Sequence, residues 1–167
     1  MIKILKRIIN ISVICSILFI ITGCPFAMDY KYQWCVHNKT SDTLGVYMAF
    51  GIYEFSPTSY PDTTLPVYLD KNMIFMSEPN TERTIFGTGI RWDKIIIELP
   101  KDTLSIFVFN YDTLKNYTWE EINENYKILV RYDLSYNDLN MLKFTIHYPP
   151  TIEMKNMKMY PPYKESE

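Results

Sequence analysis

Histidine, cysteine and glycine are scarce: 2, 3 and 5 residues among 167. So few glycines exclude collagen-like and glycine-rich low-complexity sequence. His37 and His147 stand alone, neither with a second histidine at ligand spacing, so a metal site would have to draw on other residues. No GxSxG elbow, HExxH, CxxC, P-loop or GxGxxG occurs, and no cofactor is implied. An excess of one charge is missing as well. Seventeen basic residues face 19 acidic ones, for a net charge of −2. The pI is near 5.7, without the basic surplus that phosphate binding needs, so nucleic acid is excluded as a partner. Long apolar runs are also absent. The longest, residues 8–21, is interrupted by Asn10, Ser12 and Ser16, and is too short to settle across a hydrocarbon core of ~30 Å.

Aromatic residues, by contrast, make up 16% of the chain, with 14 tyrosines. Rings and β-branched side chains fit a pleated, half-buried surface better than a helix, so a β-dominated domain is expected. A hydrophobic content of 47% against 22% charge excludes intrinsic disorder and a polytopic membrane protein.

Lys3, Lys6 and Arg7 precede the apolar run, and small residues follow it. These are the parts of an export signal. At its end, Ile21-Thr22-Gly23-Cys24 resembles a bacterial lipobox, with isoleucine where leucine is commoner. The resemblance implies cleavage before Cys24, a thioether-linked lipid on its thiol and fatty acylation of the new amino terminus. Several acyl chains would hold the protein durably in a bilayer, at about 0.8 kcal/mol per buried CH₂. The expected organisation is a signal peptide (1–23), lipidated Cys24 with a short tether (24–31), a β-rich domain (32–150) and an extended, loosely docked tail (151–167).

Strands are expected around residues 32–37, 44–50, 67–69, 72–76, 82–86, 103–109, 128–134 and 142–148. The 103–109 run is apolar on both faces, as a strand covered on both sides would be. Residues 92–99 match both helix and strand and lean towards a short helix, because Trp92, Ile95, Ile96 and Leu99 follow the i, i+3, i+4, i+7 template. Thr118 with Glu121 forms a capping box, and Ser135 with Asp138 three residues on opens a second short helix. A mainly β, two-layer β-sandwich with short helical connections follows, with an α+β sheet as the alternative.

Candidate functional residues are few. Cys35 and His37 share a strand face, which suggests a thiolate–imidazole pair, but no third orienting group is identifiable. Solvent exposure is the expectation for His147. Tyr53, Phe55, Tyr60 and Tyr68 lie among prolines in a long loop and form a candidate binding surface, rigid rings with polar tips suiting a sugar or protein face. The alternative is that these rings fold back onto the sandwich. Asp-Thr followed by leucine or threonine recurs at Thr43, Thr63, Thr103 and Thr113. The pattern resembles an O-glycosylation motif of exported proteins in some gut-dwelling Gram-negative anaerobes. Thr63, then Thr43, are the favoured acceptors because they lie in or beside turns.

Residues 102–109, Thr118-Trp119-Glu120-Glu121-Ile122, residues 126–135 and the Tyr-Pro-Pro steps at 148–150 and 160–162 resemble small cell-envelope lipoproteins of those same bacteria. That likeness implies a location and no biochemical activity. Since the residues after Cys24 lack an acidic cluster, the expected place is the outer membrane, facing the periplasm, with the cell surface as the alternative. Two functions fit: a non-enzymatic binding or structural module for a protein or glycan, or a carboxylate-based hydrolase or lyase acting on an envelope glycan. Converging carboxylates in a deep cleft would favour the second, and aromatic-studded loops the first.

Overall fold

The computed structural model describes residues 31–50, 60–69 and 71–165. Cys24, Tyr53 and Phe55 lie outside them. Eight strands form two sheets. Tyr32–Asn38 (β1), Thr81–Thr88 (β4) and Thr145–Tyr148 (β7) make the small sheet, in the order β4-β1-β7. Leu44–Ala49 (β2), Ile74–Ser77 (β3), Thr103–Asn110 (β5), Val130–Ser135 (β6) and Lys158–Tyr160 (β8) make the large one, in the order β3-β2-β5-β6-β8. The large sheet is antiparallel throughout, whereas β1 pairs β4 antiparallel and β7 parallel.

Alternation decides which side chains meet between the sheets. Trp34, Val36 and Ile146 from the small sheet join Leu44, Val46, Met48, Ile106, Val108, Tyr132 and Leu134 from the large one in a single core. Trp92–Ile96 (α1) closes one end, its Trp92 ring edge-on to Trp34 at 5.4 Å. Such T-shaped packing suits the ring quadrupoles. The result is a mainly β sandwich with short helical connections.

A second apolar cluster lies on the other face of the large sheet. Tyr47, Ala49, Phe107 and Phe109 are covered there by Leu65, Leu69, Leu114 and Ile122. The cover consists of Tyr111–Asn116 (α2), Trp119–Glu124 (α3) and the segment 60–69. Both faces of β5 are therefore buried, as its sequence predicted, and so are both faces of β2. Gly45 shows how close the cover sits: a Cβ there would collide with the Leu114 side chain and stand 3.0 Å from Ile74.

The predicted capping box at Thr118 and the predicted cap at Ser135 are both present, the second also as a capping box. Thr118 caps α3 with Glu121 reaching back, and Ser135 caps Tyr136–Met141 (α4) with Asp138 reaching back. The sequence reading missed α2, whose cap is Asn110, its side chain accepting from the Asp112 amide at 2.8 Å. Three further expectations are corrected. Residues 67–69 form no strand; Leu65 and Leu69 turn inward, and the Pro66 carbonyl accepts from Trp119 Nε1 and Asn123 Nδ2 at 2.9 and 3.2 Å. Strand β7 begins only at Thr145, because Lys143 and Phe144 take left-handed backbone (φ 52° and 57°) on leaving α4. Finally, the segment after residue 150 is built into the fold. Met154 and Met157 are buried, and β8 extends the large sheet beside β6; an unbranched thioether fills irregular gaps well.

Candidate functional site

Register brings together residues that sequence distance had kept apart. On the covered face of the large sheet, Tyr47, Phe107, Arg131 and Tyr160 form one row across β2, β5, β6 and β8. Ala49, Ser105, Asp133 and Lys158 form the next. Arg131 and Asp133, the charged residues that alternate with Val130, Tyr132 and Leu134 along β6, are only 1% and 6% exposed.

Charges this deep require partners. Arg131 Nε donates to Asp133 Oδ1 at 2.8 Å, Nη1 to the Asp62 carbonyl at 2.8 Å and Nη2 to Ser105 Oγ at 3.4 Å. Ser105 Oγ in turn donates to Asp133 Oδ1 at 2.6 Å. The guanidinium also lies between two rings, 5.4 Å from Phe107 and 5.9 Å from Tyr60, where it gains cation–π attraction. Lys158 Nζ covers Tyr60 from outside, 4.8 Å from the ring centre, and donates to its hydroxyl at 3.3 Å.

Beside this stack opens a cleft of about 410 Å³ lined by Thr63, Thr64, Tyr126 and Tyr160. The Tyr126 and Tyr160 rings meet edge to face at 5.6 Å. Tyr126 follows α3 with φ of 47°, a left-handed position that favours glycine or asparagine; holding a tyrosine there costs about 1 kcal/mol or more. Its hydroxyl is buried beside Arg131 without a hydrogen bond of good geometry. Burial raises its pKa, with Arg131 working the other way, so the group is a neutral phenol at physiological pH. The cleft thus offers two aromatic rings and an exposed threonine rim, with the Tyr126 hydroxyl buried behind its own ring. That combination suits a ring with apolar faces and hydroxyl edges.

Among the sequence-predicted residues, Thr63 is exposed at the cleft rim, while Thr43 is half-buried just before β2. Thr103, the disfavoured acceptor, is buried. Tyr60 folds back onto Arg131 and Lys158. Tyr68 is 68% exposed and does not line the cleft. Sequence reasoning missed Tyr126, Tyr160 and Arg131. The one available signal was the Arg-x-Asp step on a strand, which places both charges on one face.

A second group of polar side chains occupies the outer face of the small sheet. Thr84, Cys35 and Thr145 form one row, and Glu82, His37 and His147 the next. His147, expected to stand alone in solvent, lies half-buried with its ring centre 5.4 Å from that of His37. Burial, then Lys39 and His37, lower its pKa. The Tyr132 hydroxyl donates to its carbonyl at 2.9 Å, linking the two sheets. Cys35 Sγ lies 3.6 Å from Thr84 Oγ1, so its one described polar neighbour is a hydroxyl rather than an imidazole.

No family model matches the chain, and neither curated proteins nor solved structures provide a match.

Proposed function

We propose that this chain is a lipid-anchored protein of the cell envelope, placed on the outer membrane and facing the periplasm, whose sandwich is a non-enzymatic glycan-binding module. The observation that carries the binding reading is the Tyr126–Tyr160 cleft with its threonine rim. Its size falls within the range of small-ligand sites, and tyrosine rings offer flat apolar faces to the C–H faces of a sugar. The hydrolase alternative finds less support. Asp133, the carboxylate beneath the stack, is occupied by Ser105 and Arg131, while Glu121 and Asp138 serve helix caps. Anchoring rests on Ile21-Thr22-Gly23-Cys24 and on the envelope lipoproteins that the sequence resembles.

The test titrates the full chain with a panel of neutral and acidic oligosaccharides, following tyrosine fluorescence. Binding by the wild type and its loss in Tyr160→Ala, with the melting temperature little changed, is the expected result; Tyr160 is 54% exposed and on an edge strand. Retained binding in that variant, or none by the wild type, would overturn the reading. For the anchor, Cys24→Ala should abolish fatty-acid labelling, and normal labelling would refute it. Protease treatment of intact cells should spare the domain; ready digestion would place it on the cell surface. Thr63 is the exposed candidate for glycosylation, and an intact mass carrying only the lipid increment would exclude the modification.

A further inference from the structure

We infer that His37 and His147 form a two-imidazole site for a divalent transition-metal ion of the zinc or copper type, on the uncovered face of the small sheet. The two residues are direct neighbours in the parallel β1–β7 ladder, so their Cβ atoms point the same way from adjacent strands. Two imidazoles sharing one ion through nitrogens at about 2.0–2.1 Å, with a near-tetrahedral angle between them, have ring centres about 5–5.5 Å apart. The observed separation is 5.4 Å. The rings are tilted by 51°, and rotation about the soft terminal torsion of a histidine aims the nitrogens.

The surroundings fit the same role. Glu82 approaches His37 from the opposite side, its Oε2 3.7 Å from Nδ1. At that distance it makes no hydrogen bond, but it holds negative charge behind the imidazole on the Nδ1 side and leaves Nε2 for the ion. His147 Nδ1 is buried, so the ion would reach this ring through Nε2 on the open side. The charge of Lys39 works against a cation at His147, and those of Glu153 and Glu82 work for it. Among the described residues, no group of three histidine, cysteine, aspartate or glutamate side chains is placed to hold a metal. Imidazole ligands suit zinc and copper rather than magnesium or calcium.

The test uses the full chain in detergent, purified without a polyhistidine tag and titrated with zinc chloride. Calorimetry should show a single saturable site, and the ring-proton resonances of both histidines should shift together. His37→Ala and His147→Ala should each abolish saturation while the metal-free melting temperature stays close to wild type. Glu82→Gln should weaken binding by about tenfold or more, the usual consequence of losing a carboxylate behind a ligating histidine. Cys35→Ser should bind as the wild type does. The inference is overturned if zinc shifts neither resonance, if the double histidine variant binds equally well, or if Cys35→Ser alone loses the site.

Discussion

On the outer face of the large sheet, Arg131 and Asp133 sit beneath a cover of helices and the segment 60–69; on the outer face of the small sheet, His37 and Glu82 remain open to water. The strands that carry Arg131 and His37, β6 and β1, share one alternation, with Arg131 and Asp133 on the first and Cys35 and His37 on the second each standing between buried neighbours. What differs is the cover. An i, i+2 charged pair on a strand reads as solvent-facing, yet once a second layer is placed over it the same pair becomes a buried network whose every contact matters. The two faces accordingly invite different chemistry: a walled cleft beside buried charge on one, an accessible polar grid on the other.

The contrast would break most visibly at Arg131. Arg131→Met removes the closest partner of a carboxylate that is only 6% exposed and should destabilise the protein by about 3 kcal/mol, because Ser105 and Lys158, the latter at 4.0 Å, compensate the remaining charge only in part. If the covered face is as dry as its geometry suggests, the double variant Arg131→Met/Asp133→Leu should recover most of that loss, since an apolar pair of similar volume often replaces a buried ion pair at little cost. Denaturant unfolding of the three proteins measures both steps. Full stability in the single variant would mean that water reaches Asp133.

A smaller loss is expected where the cover touches the sheet. Gly45→Ala places a methyl group against Leu114 and Ile74, and overpacking of this kind costs about 1–3 kcal/mol. Gly89, which has open space around it, provides the control, and Gly89→Ala should stay within about 0.5 kcal/mol of wild type. Equal stability of the two variants would show that α2 shifts freely away from the sheet.

Much of the sandwich was legible because its signals are local. Thr118 with Glu121 and Ser135 with Asp138 carry their caps in the sequence, and the apolar 103–109 run announces a strand covered twice. Strand β8 was not legible. Met159 and Tyr160 offer no alternation of their own, and the strand exists because the exposed edge of β6 accepts it. The cleft was hidden for the same reason. Tyr126 and Tyr160 are 34 residues apart in sequence, and only the turn after α3 and the return of the chain to β6 bring them together. The segment that carries Tyr60 and Thr63 borders the cleft, but its sequence could not reveal which rings line the cavity.

The smallest effect concerns acid. Burial, then Lys39 and His37, hold the pKa of His147 below its ordinary value of 6.5, with Glu153 and Glu82 pulling the other way. The folded protein therefore takes up this proton less readily than the unfolded chain does. By linkage the contribution to stability is complete above about pH 6.5, and is lost as pH falls from there through the lowered folded value. His147→Gln retains a polar side chain but cannot titrate. In chelator-containing buffer, melting temperatures of wild type and variant should run parallel above pH ~7. Below pH ~6.5, the wild type should fall faster. Comparing the two cancels most contributions from other groups, although His37 will respond somewhat to the loss of its neighbour. Curves that stay parallel down to about pH 5, where carboxylates begin to titrate, would mean that the ring is as well solvated as an open surface histidine. The outer face of the small sheet would then be wetter, and the contrast with the covered face sharper, than the half-buried position of His147 implies.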